Sequence, residues 1–247
     1  MAPSSPGAGG RVAQHIAVIM TAAPFPHRCM LPASKPPFTR ADLGRARRKL
    51  MRDGRWANAR VERVAIDGSE WTLKDFSSRP LAVRNTLGRF LLRRELSALR
   101  RLEGIRGVPT EAFRLDAHAI AARYLPGTTL AELPEGRVDT RFLEALEGLL
   151  RRVHQRGLVH LDTGGCGNML MMPDGEPGIF DFQAALSTRW MPAGLRRVLE
   201  GLDMSGIYKK WAQWAPESLG DGRRTQYERT ARWRRYWVFR GYLGLKK

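Results

Sequence analysis

Gly157-Leu158-Val159-His160-Leu161-Asp162, followed by Asn168 and then by Ile179-Phe180-Asp181-Phe182, is the stretch that decides the fold of this chain. It sets two carboxylates and an amide on short loops between apolar strands. Phosphoryl transfer uses that set: one carboxylate orients an attacking hydroxyl, while the amide and the second carboxylate hold Mg²⁺ against the phosphates. Taken singly, Asp162 reads as a cap or turn residue, Asn168 as a turn and Asp181 as a strand end. The combination of His-x-Asp, Asn, an apolar hairpin and Phe-Asp-Phe is far more specific than any one member. Within it His160 reads as structural, holding the loop backbone.

Upstream, two short strands around Asp67-Gly68 give a strong hairpin signal between residues 60 and 76. Lys74 sits on the second of them. A helix follows over about 83–102, with Leu87, Leu91, Leu99 and Leu102 on one stripe and Glu95 within it. A carboxylate there is costly to bury alone, so Lys74 is expected to face it. Residues 117–124 read as another strand, closed by Leu125-Pro126-Gly127. An amphipathic helix capped by Asp139 or Thr140 then runs to Gly157. A second hairpin is expected at 169–182 around Pro173-Asp174-Gly175, and the rest reads as helical.

These residues resemble the protein-kinase-like superfamily, and among its members the bacterial lipopolysaccharide core kinases and RIO-like small kinases. The likeness covers roughly residues 55–210, with the specific motifs confined to the loops quoted. It implies an α+β, two-lobed fold with a small β-rich N-lobe and a mostly helical C-lobe. It also implies ATP and Mg²⁺ as cofactors: Lys74, fixed by Glu95, on the nucleotide phosphates, Asp162 as catalytic residue, and Asn168 with Asp181 as metal ligands. Adenine is expected against the backbone of Ala122 and Tyr124 and over Leu170. Three departures stand out. No Gly-rich loop precedes Lys74, where 53–58 (Asp-Gly-Arg-Trp-Ala-Asn) stands instead. The loop from Asp162 to Asn168 is one residue longer than the usual kinase form and lacks the usual basic residue. Gln183 replaces a Gly. By this likeness the chain moves a γ-phosphoryl group to a hydroxyl of a lipopolysaccharide core sugar or of protein Ser/Thr. The alternatives are a pseudokinase binding module, or a small-molecule kinase of the aminoglycoside or choline type with an acidic pocket from Glu132, Glu135 and Glu144.

Composition sets the outer bounds. The 247 residues hold one two-lobed domain or two small ones, and 42 Lys+Arg against 24 Asp+Glu give a net charge of +18. That charge favours an anionic partner. Residues 1–38, rich in Pro, Ala, Gly and Ser, read as a disordered extension; Thr39 opens a basic helix towards Met51. The N-lobe is expected over 39–123, the C-lobe over 124–222 and a basic aromatic helix over 223–247. That last segment interleaves Tyr227, Trp233, Tyr236, Trp237, Phe239 and Tyr242 with Arg and Lys, which suits an anionic membrane surface. Nucleic acid is disfavoured, since no fold or motif for it occurs. Only Cys29 and Cys166 are present, which argues against a disulfide framework and fits the cytoplasm, with a peripheral position on the inner membrane face. Cys166 reads as inert packing rather than a reactive thiol.

Overall fold

The computed structural model describes residues 35–134 and 136–234. Strands β1 (Arg47–Asp53), β2 (Arg60–Ile66), β3 (Ser69–Asp75), β4 (Phe113–Arg114) and β5 (Ala119–Arg123) form an antiparallel sheet ordered β1-β2-β3-β5-β4. Asp67 and Gly68 join β2 to β3 with φ of +48° and +72°, the conformation an Asp-Gly hairpin favours. Alternation along the strands then separates two apolar faces. Val64, Ile66, Trp71 and Leu73 pack on one side with Leu43 and Phe38. Phe76 and Ile120 pack on the other against Leu91, Leu92 and Leu96.

Two expectations near the N-terminus need correction. Residues 39–51 are not a helix: a short 3₁₀ turn (Ala41–Gly44) leads into β1. The Arg, Lys, Leu and Met of this stretch favour a helix locally, but pairing with β2 overrides that weak propensity. β1 is an edge strand exposed along its whole length, so no alternation marks it. The ordered domain also begins before 39. Phe38 is buried and packs edge-on against Trp71 and Phe113, with ring centroids 5.6 and 5.2 Å apart.

The expected long helix starts as α1 (Leu81–Val83), passes through a π-turn at Arg84–Gly88 and continues as α2 (Arg89–Arg101). Its buried stripe is Leu91, Leu92, Glu95, Leu96 and Leu99. β6 (Thr128–Thr129) leads to α3 (Thr140–Gln155), whose N-terminus is capped by Asp139 accepting the Phe142 N–H at 2.7 Å. Gly157, at φ +70°, releases the chain into β7 (Leu158–Val159). β8 (Met169–Met171) and β9 (Pro177–Ile179) make the second hairpin, with β6 on its outer edge, and β10 (Leu186–Ser187) returns to pair with β7. Last come α4 (Ala193–Trp214) and α5 (Asp221–Arg234). Leu143, Leu146, Leu150 and Val153 of α3 bury against Ile207, Tyr208 and Trp211 of α4 in the largest core cluster.

The architecture is α+β, a β-rich N-terminal lobe followed by a mostly helical C-terminal lobe. Cys29 and the aromatics at 236, 237, 239 and 242 lie outside the described residues. No described helix is long and apolar enough to cross a membrane.

Candidate active site

Alternation along β3 turns Thr72 and Lys74 away from the face that buries Trp71 and Leu73, towards α2. There the Lys74 Nζ lies 2.6 Å from Glu95 Oε1 and 2.7 Å from Asp181 Oδ1. Burial disfavours the Lys74 ammonium, but the Asp181 and Glu95 carboxylates more than offset it, and its pKa ends above the usual lysine value. The two acids do not share this cation equally. Burial acts to raise Asp181, yet Lys74 prevails and holds it below the ordinary aspartate range; Glu95, deeper still, is pushed up by burial despite Lys74. Gln183, buried in the turn after Asp181, is among the groups opposing that rise. Arg94, next to Glu95 on α2, donates to the carbonyls of Ala184 and Ala185, tying the helix to the segment that carries Asp181.

The loop after β7 is fixed from beneath by α4. Asp203, 1% exposed, accepts the His160 N–H at 2.5 Å and the Leu161 N–H at 2.6 Å, and contacts His154 Nε2 at 3.1 Å. This clamp holds Leu161 at φ +62°, a left-handed conformation that a leucine adopts only when its surroundings enforce it. His160 Nε2 lies 3.0 Å from the Phe180 carbonyl, which can only accept, so Nε2 carries the proton. Its Nδ1 is left to accept the Asp162 N–H at 3.3 Å. His160 thus joins the two loops, in keeping with the structural role expected of it. Gly206 of α4 touches the loop so closely that a Cβ there would stand 2.3 Å from Thr163 Oγ1. Lys210, one helical turn on, donates to the Thr163 carbonyl at 2.5 Å.

So arranged, Asp162 opens onto the cleft and Asn168 Nδ2 donates to its Oδ2 at 2.7 Å. The surrounding protein raises the Asp162 pKa above the normal value, with the Asn168 hydrogen bond opposing. Using Nδ2 in this way leaves Asn168 Oδ1 as an acceptor. These side chains suit a hard divalent cation, because Asp181, Asn168 and Asp162 offer oxygen only and the buried carboxylates outnumber Lys74. Among the described residues no three His, Cys, Asp or Glu side chains converge as a ready-made cage. Mg²⁺ characteristically takes one or two carboxylates and completes its shell with water and phosphate.

Around the hinge the expected geometry changes. The Arg123 N–H donates to the Thr110 carbonyl at 2.9 Å and the Tyr124 N–H to the Glu70 carbonyl at 3.0 Å, so Tyr124 has no N–H to offer a base. Ala122 is buried within β5 opposite Thr72. Leu125 is the next hinge residue with an N–H, since Pro126 has none. Leu170 lies 4% exposed beneath Leu125 and Gly127, close enough that a Cβ on Gly127 would reach its Cδ1 at 2.8 Å. Glu132 and Glu144 are separately exposed, and Glu135 is outside the described residues. Cys166 is half-buried against the helical core.

Four contributors receive no role from the sequence: Asp203, Arg94, Lys210 and Arg52. The last comes from β1, where its Nη2 reaches within 3.9 Å of Asp181 Oδ2. It brings a cation over the site in the place where a Gly-rich loop was missed.

No family model matches the chain, and no curated protein sequence does either. Solved structures do match. The crystal structure of the Rio2 kinase-ADP/Mg²⁺-phosphoaspartate complex from Chaetomium thermophilum aligns over 77% of this chain and 71% of its own, at 15% identity and TM-score 0.53. A second crystal structure of that Rio2 kinase aligns over 77% and 72%, at 16% identity and TM-score 0.52. The chain therefore shares its fold with that Rio2 kinase, a structural likeness at low sequence identity.

Proposed function

We propose that this chain is an ATP- and Mg²⁺-dependent phosphotransferase acting on a hydroxyl acceptor. The observation that carries the reading is Lys74, buried and bonded to both Glu95 and Asp181, across the cleft from the Asp162–Asn168 pair. Bound Mg²⁺ would neutralise charge on the phosphates. Lys74, held by Glu95, grips the nucleotide phosphates, and Asn168 with Asp181 holds the metal. Asp162 orients the acceptor hydroxyl and takes its proton, for which an aspartate raised above its normal pKa is the better base. Arg52 supplies positive charge at the rim. The acceptor is a glycolipid sugar or a protein side chain, and the ADP/Mg²⁺ complex of the Rio2 kinase supports nucleotide use on this fold.

The test is thermal unfolding with ATP and Mg²⁺, followed by transfer of labelled γ-phosphate. Ligand at 100 times its Kd stabilises by about 2.7 kcal/mol, which for a domain of this size is roughly 5–10 °C. We expect that shift in the wild type, dependent on Mg²⁺ and absent from Lys74→Ala and Asp181→Ala. No shift at millimolar ATP refutes the enzyme reading. A shift without transfer favours the pseudokinase, which the absent Gly-rich loop supports.

A further inference from the structure

On the helical lobe lies a groove of about 640 Å³, walled by the end of α3, the start of α4, the segment after β10 and the end of α2. Five arginines line it, Arg101, Arg151, Arg156, Arg189 and Arg196, against one carboxylate, Glu200. Two of the five are already matched: Arg151 pairs with Glu147 at 2.6 Å, and Arg196 lies 3.8 Å from Glu200. The other three are not. Arg101 donates to the Gly157 carbonyl and the Ser187 hydroxyl, and Arg156 to the carbonyls of Arg101 and Glu103, and neither forms an ion pair among the described residues. Arg189, whose stem lies against Gly157, makes no hydrogen bond or ion pair among the described residues. Thr188, also in the wall, is 1% exposed, and its hydroxyl has no partner among the described residues.

We infer that this groove is a second ligand site, for a phosphate-bearing anion. Three guanidinium groups without an acid partner line one space, and the positive potential they add there favours an anion. A phosphate answers this: its several oxygens accept planar guanidinium forks from different directions, which a carboxylate with two oxygens does less well. The volume exceeds one phosphate and leaves room for a second phosphate or for the group that bears it. Next to Arg189 in the chain, Trp190 is 93% exposed, and Leu195 and Val198 of α4 are about half exposed. His154 both lines the groove and contacts Asp203, so an occupant sits two contacts from the loop bearing Asp162.

The experiment uses the full chain in Mg²⁺-free buffer and does not depend on kinase activity. One arm titrates inorganic pyrophosphate by calorimetry; the other floats the protein on phosphatidylcholine vesicles with and without phosphatidic acid. Arg156→Gln/Arg189→Gln is compared with Arg93→Gln/Arg141→Gln, exposed arginines on other faces that remove the same charge. We expect saturable binding that falls about tenfold or more in the first pair, given the strength of charge-assisted bonds, and is unchanged in the second. A lipid source shows as phosphatidic-acid-dependent flotation lost in Trp190→Ala, with pyrophosphate binding intact; a soluble source shows as pyrophosphate binding alone. Equal loss in both arginine pairs, binding unaltered in the groove pair, or no saturable binding in either arm overturns the site.

Discussion

Asp203→Asn isolates the clamp under the loop that carries Asp162 while keeping shape and volume. Its carboxylate takes two backbone N–H bonds and contacts His154 with almost no exposure to solvent. Hydrogen bonds to charged groups contribute about 1.5–3 kcal/mol each. The amide keeps one acceptor oxygen, so one N–H bond survives in weaker, neutral form. The other N–H then faces an NH₂, donor against donor. The expected loss is about 3 kcal/mol, near the cost of one charged bond plus weakening of its neighbour. At about 2–4 °C per kcal/mol for a domain of this size, the melting temperature should fall by roughly 6–12 °C. Since the same bonds keep Leu161 left-handed, phosphotransfer should fall further than stability predicts, even at temperatures where the variant is fully folded. Calorimetry with a matched activity assay at 15 °C reads both. A drop under about 2 °C would show that the loop is held by something other than Asp203, and the argument would fail.

Other substitutions probe neighbouring contacts. Gly206→Ala should displace the loop at Thr163, costing about 1–3 kcal/mol by overpacking and most of the activity; Gly201→Ala, whose Cβ would make only an ordinary contact with Gln226 Nε2 at 3.8 Å, is the control in the same helix. Lys74→Met strands two carboxylates and should destabilise by about 3 kcal/mol at neutral pH, while Lys74→Met/Glu95→Leu should recover much of that without restoring nucleotide binding, as a double-mutant cycle by urea unfolding would show. For the pH profile, Asp162 must be ionised to act as base and its pKa lies above the ordinary 3.8, so kcat/KM should fall with acid at a pH above that value. In stability the sign is opposite: a raised carboxylate costs nothing below its unfolded pKa and its full amount above the folded one, so Asp162→Asn should be inactive yet no less stable at pH 7.

Features fixed by near neighbours were legible in the sequence. Asp67-Gly68 dictates its own turn, Asp139 and Gly157 bracket α3, and the Leu stripe with Glu95 inside it calls for a cation that proves to be Lys74. What stayed hidden depends on partners far along the chain. Asp203 meets the loop across about forty residues, and nothing in Leu202-Asp203-Met204 marks it as a clamp. β1 carries a helix-like composition and buries neither face, so only the presence of β2 makes it a strand. The hinge N–H groups look free in sequence, but the neighbouring carbonyls of Glu70 and Thr110 have claimed two of them.

The placement of Asp203 and Gly206 on α4 bears on how the protein is made. A ribosome finishes the sheet, the Lys74 hairpin and the Asp162 loop before it reaches residue 203. Until α4 emerges, the His160 and Leu161 amides have no acceptor beneath them, and Leu161 has no reason to stay left-handed. A nascent chain halted before α4 should therefore already carry every residue proposed for catalysis and still lack a working loop. The loop reaches its final form only in one late event, when the helix docks and Asp203 meets the two amides.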